Sequence, residues 1–412
     1  PIYRKLDRLI SYGVVDNFVY GQRPWNEGQI QDILNQASSN TRRSTPKKHE
    51  IVQGLIASIR SHLKSKQSLT LGATQLDSRP TTIPSFNGIG HVDAQINPLV
   101  ENQGGKNFAN GQTLSVEWEN RWKLWKEIAL DINLRYEALF DSNGETEPNV
   151  FARRLSAAQA VGPIRWSLGR EQLSWGQSEF GGWLFSNNAL PVDKFQVSSE
   201  KPFHLPGFLK HLGLWDTTAF VGNLGSSTFF PYQYLAGYKI SLKPVRFIEV
   251  GLGNIVTFSG DGAPNNTTYE IWSDFWGFSG TGGGGTDRVI SVDGRLFIPP
   301  LNGLQLYIES AFEDRSSSLT KTLLDSSAYT LGTFLPRTLN NTDLTWRLEV
   351  QYSSALMYRH TQYRSGNTRH RMFHGDPLGP DGIAVSQTLD WQFNNKHRFR
   401  LFTTWETRSS DR

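Results

Sequence analysis

Ile128-Ala129-Leu130-Asp131-Ile132-Asn133-Leu134-Arg135-Tyr136-Glu137-Ala138-Leu139-Phe140 is the stretch from which the rest of this chain can be read. Its even positions carry Ile128, Leu130, Ile132, Leu134, Tyr136, Ala138 and Phe140. Between them stand Ala129, Asp131, Asn133, Arg135 and Glu137. A period of two belongs to a strand, whose successive side chains point to opposite faces. The segment therefore has one apolar and one charged face. It is also long: soluble strands run about 5–6 residues, while a strand that crosses a bilayer needs about 9–11.

The same alternation recurs downstream. Leu344, Trp346, Leu348, Val350 and Tyr352 alternate with Thr345, Arg347, Glu349, Gln351 and Ser353. Leu304, Leu306, Ile308 and Phe312 oppose Gln305, Glu309 and Glu313, and Phe399, Leu401 and Trp405 oppose Arg398, Arg400, Thr404 and Glu406. Two architectures produce such strands. In a sandwich the apolar face is the core and the charged face meets water. In a membrane barrel the apolar face meets lipid and the charged face lines the lumen.

Connections separate the two. Short ones fall at 162–163, 243–244, 299–303 and 394–396, and long ones at 101–110, 141–149, 259–286, 315–327 and 354–382. Short turns on one side alternating with long loops on the other are a barrel property. Roughly 20 residues per strand and connection give about 16 strands, within the even counts usual for bacterial barrels. Parity adds a detail. With strands at 164–172, 214–224 and 232–242, the short turn at 243–244 lands on the wrong side unless a further crossing lies near 195–199. There Phe195 and Val197 alternate with Gln196 and Ser198.

Composition agrees. Mean hydropathy is −0.44, and the nearest thing to an apolar helix, 51–59, is interrupted by Gln53 and Gly54. A spanning helix needs about 20 apolar residues, so only strands could cross. Aromatic residues make up 12%, with 13 Trp and 13 Tyr, the residues that favour a membrane–water interface. The absence of Cys excludes disulfide scaffolds and thiolate metal sites, and a net charge of +4 gives no nucleic-acid signature.

Upstream the period becomes helical. Tyr3, Leu6, Leu9 and Ile10, with Gly13 at a capping position, predict one helix; Ile30, Ile33 and Leu34 within 26–38 predict a second. Ile51, Leu55, Ile56, Ile59 and Leu63 within 49–66 predict a third, after a basic linker at 42–48. The expected organisation is a small helical bundle at 1–68 and a transmembrane barrel at 69–412. The chain ends Glu406–Arg412 without a terminal aromatic, which leaves open the absence of a closing strand.

Catalytic motifs are missing: there is no nucleophile elbow, no His-Glu-x-x-His and no Walker loop. The glycine run at 280–285 opens no helix and reads as a loop tip. His370 and His374 stand four apart, but Gly366, Gly375 and Pro377 place them in a loop rather than on a metal-binding helix face. Neither a cofactor nor a metal is expected.

An ordered set of other segments resembles a known family. It comprises Tyr3-Arg4-Lys5-Leu6-Asp7-Arg8-Leu9, Ile164-Arg165-Trp166-Ser167-Leu168-Gly169-Arg170-Glu171-Gln172, Trp175-Gly176 and Leu184-Phe185-Ser186-Asn187-Asn188-Ala189. Ser198-Ser199-Glu200-Lys201-Pro202-Phe203, Leu205-Pro206-Gly207, Arg246-Phe247-Ile248-Glu249-Val250-Gly251-Leu252-Gly253, Tyr307-Ile308-Glu309 and Glu313-Asp314 follow in order. In this order they resemble the capsule assembly Wzi family. The resemblance implies an outer-membrane barrel of about eighteen strands, with a helical bundle at its periplasmic mouth and a lectin-like role in holding capsular polysaccharide. It brings no catalytic residues.

Sugars stack on exposed aromatic faces, which makes Trp175, Trp183 and Asn187 candidates in the 170–207 stretch. Paired charges on a lumen face more often satisfy one another across neighbouring strands. Tyr269, Trp272, Asp274 and Trp276 form a second candidate group in the longest loop, although Trp272, Phe275 and Trp276 are also spaced to pack a loop helix onto the barrel rim. The expected protein is a monomeric, non-catalytic barrel in the bacterial outer membrane, its bundle in the periplasm and its long loops at the cell surface. Its partners are a capsular or other surface polysaccharide and membrane lipid, and nucleic acid is not one of them. A solute channel and a barrel enzyme are the rival functions, separable by conductance and by a rim constellation of Ser, His and carboxylate.

Overall fold

In the computed structural model the alternating segments become strands of one antiparallel barrel wall. The structure describes all residues except 1, 44, 65–69, 72–73, 80–84, 90–103, 106–110, 125–127, 142–145, 180–181, 279–284, 314–318, 339–343, 394–396 and 409–412. Thr74–Arg79 and Ser85–Ile89 both pair with Gly111–Leu124, which leads on to Ile128–Asp141, Thr146–Val161 and Ile164–Arg170. After Asp193–Ser199 come Leu214–Asn223, Tyr234–Val245, Ile248–Phe258 and Asp287–Ile298. Leu304–Phe312, Ser327–Leu335, Leu344–Ser353, Gly382–Gln392 and Arg398–Arg408 complete the described ladder.

Burial along these strands decides between sandwich and barrel. Val292 is 49% exposed and its neighbour Asp293 is 2% exposed; Ile308 is 47% exposed and Glu309 1%. Lys239 and Glu349 are wholly buried, while Leu168, Leu331 and Leu401 stand out on the surface. A water-soluble sandwich would have this reversed. An apolar exterior around a charged interior is stable only when lipid surrounds the wall.

Asp193–Ser199 supplies the extra crossing that parity requires. It pairs with Ile164–Arg170 on one side and Leu214–Asn223 on the other, with Phe195 opposite both Leu168 and Val221 on the outer face. One expectation needs correction. The strand Tyr234–Val245 runs through 243–244, and the turn lies at Arg246-Phe247. The register shifts between Leu242 and Val245, so Pro244 falls in an irregularity, where its missing N–H breaks no ladder bond.

Turns at 162–163, 246–247 and 299–303 gather at one end of the barrel, hereafter the helix end. Segments 171–192, 224–233, 259–286 and 354–381 emerge at the other, the loop end. At the helix end sit α1 (Ile2–Ser11), α2 (Glu27–Asn40) and α3 (Pro46–Lys64). Asn26 and Gln29 form a capping box at the start of α2. The basic linker is shorter than the expected 42–48, because Thr41–Arg43 closes as a 3-10 turn and Pro46 opens α3. Proline suits that first position, where its N–H would have no partner.

Leu6, Leu9, Ile10, Ile33, Leu34, Ile56 and Ile59 form the bundle core, with Leu55 packed partly against it. Burying each such side chain contributes about 1.5–3 kcal/mol. Polar contacts fix the bundle to the wall: Arg4 Nη1 to Asp390 at 2.6 Å, Lys201 Nζ to Asp32 at 2.9 Å, and Asn26 Nδ2 donating to the Glu200 carbonyl at 2.7 Å. The expected division at 68/69 and the glycine run, apart from Gly285, lie outside the described residues.

Candidate functional site

Three segments of the chain enter the lumen and consume its charges. The first, following α1, runs extended through Tyr20-Gly21-Gln22. Tyr20 N–H and Gly21 N–H donate to the Glu249 carboxylate at 2.8 and 2.7 Å, and Gln22 Nε2 donates to the Asp216 carbonyl at 2.8 Å. Gln22–Arg23 then pairs with Ser174–Trp175, a two-residue ladder between the N-terminal segment and the second intruder, 171–192.

That second segment turns inward because the wall offers it carboxylates. Glu309 accepts from Trp183 N–H at 2.6 Å and from Gln177 N–H at 3.3 Å. Gln177 Nε2 donates to Asp293 at 2.7 Å and Glu249 at 3.1 Å, while its Oε1 accepts from Arg295 Nε at 2.7 Å. Ser178 Oγ and Glu179 N–H both donate to Glu349, at 2.7 and 2.8 Å. The wall makes room: a Cβ on Gly253 would lie 2.6 Å from Leu184 Cδ1 of the plug. Arg295 is held between the rings of Tyr20 and Tyr307, at 4.3 and 4.5 Å, and joins the N-terminal segment to the wall.

Glu179 shows how strongly the site is organised. Burial opposes its charge, yet the Arg347 guanidinium at 3.0 Å, with Arg23, Arg4 and Arg400 further off, holds its carboxyl down to about 2. The partly buried Glu171 follows the same logic. Arg165 and Lys194, with hydrogen bonds from Arg165 and Ser167, outweigh desolvation and keep it below the carboxylate range.

The third segment, 354–381, closes the loop end over the second. Tyr358 hydroxyl donates to the Trp183 carbonyl, and Ser186 N–H donates to the His374 carbonyl at 2.7 Å. Burial, helped by Arg369, pushes the His374 imidazole down to about 3, so it is neutral. Burial raises the Asp376 carboxyl to about 7 despite an N–H bond from Leu378 at 2.9 Å. A pocket remains among Glu171, Gln172, Phe185, Ser186, Lys194 and His374, with room for about one water and not for a sugar ring.

The sequence-predicted aromatic candidates divide into two groups that do not meet. Trp175 and Trp183 are buried in the lumen plug at 1% and 0% exposure, Trp183 donating its ring N–H to Thr330 at 3.0 Å. Neither presents a face to solvent. Asn187, partly buried, accepts from Gln172 Nε2 at the plug's edge. Tyr269, Trp272, Asp274 and Trp276 lie on α4 (Thr268–Trp276), which packs against the barrel at the loop end as the aromatic spacing suggested. Tyr269 and Trp272 are exposed; Asp274 is buried against Thr286 and Arg288.

Sequence reasoning missed a feature of 354–381. From Ala355 to Gly375 the chain carries Arg359, His360, Arg364, Arg369, His370, Arg371 and His374, with no Asp or Glu. A hairpin, Thr368–Arg369 against Met372–Phe373, turns at His370-Arg371 with both residues at positive φ, the twist-matched two-residue geometry. Arg369 is spent on Asp193, at 2.8 Å, and Arg170 makes a two-pronged contact with the same carboxylate. Arg359, Arg364, His370 and Arg371 remain exposed. His370 N–H donates to Ser227 Oγ at 3.3 Å, and Arg364 lies 5.3 Å from the ring of the half-exposed Phe229. The acid-free run was the available signal.

An antiparallel wall with an apolar exterior and a charged interior packed by its own chain defines an internally plugged outer-membrane β-barrel. Beyond this class, residues 85–412 match the model of the capsule assembly protein Wzi family, and the chain belongs to that family. Among solved structures it resembles Wzi of Escherichia coli, described as an outer-membrane protein involved in group 1 capsule assembly and a carbohydrate-binding β-barrel. The TM-score is 0.72 at 17% identity, over 98% of this chain and 83% of that one. OmpT of Vibrio cholerae matches at TM-score 0.39 and 12% identity, over 82% and 88% of the two chains. A mutant porin of Rhodopseudomonas blastica matches at 0.38 and 10%, over 72% and 85%. No curated protein matches.

Proposed function

We propose that this protein is a non-catalytic surface protein that binds a capsular or other exported polysaccharide and holds it at the outer membrane. The observation that carries the reading is the filled lumen. The first two segments use the inward carboxylates Glu249, Glu309 and Glu349 as anchors, and the third binds Glu313 through Tyr358 N–H at 3.0 Å, which argues against a solute channel and leaves the loop end as the working surface. In this reading α1–α3 lie in the periplasm, the long loops face outward, and the barrel acts as a monomer. Family membership and the E. coli relative's carbohydrate binding support it.

The chemistry of the loop end favours an anionic glycan. Arg359, Arg364 and Arg371 offer planar guanidinium forks, which match carboxylate and phosphate geometry. Phe229, beside Arg364, offers an apolar face for a sugar ring. Each exposed charge pair contributes little alone, about 0–1 kcal/mol, so affinity would build by repetition along a polymer. The test measures binding of the purified barrel to an acidic capsular polysaccharide and to the same polymer after carboxyl reduction, with single-channel conductance in parallel. Salt-sensitive binding that falls for the reduced polymer and in R364A/R371A, with a closed lumen, is expected. An open conducting pore that retains no glycan refutes the reading.

A further inference from the structure

The helix α4 lies on the outside of the barrel. Along Tyr234–Val245 the lumen side carries Lys239 and Ser241, both wholly buried, so Tyr238 points outward. Asn254 sits opposite Tyr238 in the register and shares its outer face. Both are covered by α4: Phe275 and Trp276 pack on the Tyr238 ring at 5.2 and 5.5 Å, and Asn254 Nδ2 donates to the carbonyls of Asp274 and Phe275 at 3.0 and 2.7 Å. Arg288, outward-facing on the next strand, lies 3.7 Å from the Asp274 carboxylate. An Arg on a lipid-facing wall is penalised by about 2–4 kcal/mol near mid-bilayer and less towards the interface. The helix covers Asn254 and Arg288 and supplies their partners.

Depth follows from the same strands. Tyr234 and Phe258 stack on the outer wall at the loop end, 5.8 Å apart, and Phe312, Tyr329 and Tyr352 form a similar group further round. Such aromatic girdles mark the membrane interface. Tyr238 and Asn254 lie four residues further from the mouth than Tyr234 and Phe258, about 13 Å along the strand at about 3.3 Å per residue. The C-terminal turn of the helix, Asp274–Trp276, thus sits at or below the girdle rather than above the mouth. The outward side of α4 presents Tyr269, Trp272 and Trp276, one turn apart, followed by Phe278; Tyr269 and Phe278 are each 78% exposed. Below it continues the apolar wall of Leu252 and Val292.

We propose that α4 is an interfacial lipid-contact helix, seating Tyr269, Trp272, Trp276 and Phe278 in the headgroup–acyl boundary of the outer leaflet and extending the barrel's lipid-facing surface. Continuity with the apolar wall selects lipid as the occupant. Trp and Tyr suit that boundary because each joins an apolar ring to a polar tip. The capping box formed by Thr267 and Glu270 keeps the helix formed at the surface. This assignment takes Tyr269 and Trp272 away from glycan recognition.

The chain has no Cys, so single-cysteine variants report cleanly. Tyr269→Cys and Phe278→Cys, spin-labelled in the full-length barrel, are reconstituted into phosphatidylcholine/phosphatidylglycerol vesicles. Val292→Cys serves as the lipid-wall reference and Arg371→Cys as the aqueous reference. Labels at 269 and 278 should be reached by oxygen and shielded from a water-soluble nickel chelate, as at 292. Chelate accessibility equal to that at 371 overturns the proposal. So does shielding that arises only when polysaccharide is added, since the helix would then be a glycan surface. Because both positions are exposed and make no described ring contact, a helix that still forms is checked by unchanged circular dichroism, and a Y269A/F278A barrel should keep its glycan binding.

Discussion

Replacing Glu179 by Gln tests whether the plug is held by charge. Glu179 sits in 171–192 with its carboxylate 3.0 Å from Arg347 Nη2, and the surroundings hold it at about 2 instead of the usual 4.5. That difference corresponds to about 3 kcal/mol in favour of the charged form. Arg347 keeps Glu349 at 3.9 Å and Asp7 at 4.0 Å after the change, so the guanidinium is not stranded. The loss should then fall at or below the low end of the about 3–5 kcal/mol seen when buried pairs are broken. An undocked plug should become more populated by roughly two orders of magnitude, at about 1.4 kcal/mol per tenfold. Hydrogen–deuterium exchange of the Gln177 and Trp183 amides reads this directly, since both are bound to Glu309. The sign of the pH dependence follows from the lowered value: stabilisation is fully present above about 4.5 and is lost as pH falls through about 2. Wild-type plug exchange should accelerate across that window, and E179Q should lack this component. Equal exchange in the two proteins at pH 7 would refute the charge-anchored plug.

Three further outcomes are expected. L348R, on the outward face, should destabilise the barrel in lipid by about 2–4 kcal/mol if it lies near mid-bilayer, measured by urea titration in vesicles; Q351R, inward, should be milder, and equal effects would overturn the facing assignment. D376N should remove a pH slope: the buried Asp376 carboxyl, raised to about 7, contributes stability below about 3.8 that is lost as pH rises through about 7, up to about 4 kcal/mol. Exchange across 354–381 should therefore be slower in D376N than in wild type at pH 8. Deleting residues 1–66 removes the strand contact of Gln22–Arg23 and the Tyr20 and Gly21 bonds to Glu249; the barrel should still fold and single-channel conductance should rise.

How much of this was legible in the sequence depended on the range of the interaction concerned. Alternation at 128–140 and 344–353 determined which residues face out and which face in, because a strand reverses direction at each residue whatever surrounds it. Helical spacing of Leu6, Leu9, Ile10, Ile56 and Ile59 picked out the bundle core in the same way, and parity found the crossing at Asp193–Ser199. The resemblance carried by the ordered motifs agreed with the family. Local signals could not reveal what occupies the barrel. Glu309 meets Trp183 and Gln177 across 126 and 132 residues, and Tyr20 meets Glu249 across 229; nothing in the spacing of either partner encodes such a meeting. Trp175 and Trp272 read alike as candidate sugar platforms, yet the fold sends one into the plug and the other onto the outer wall. Strand geometry fixes which side of a wall a residue is on, and only the paths of the long connections decide which of those sides their own side chains reach.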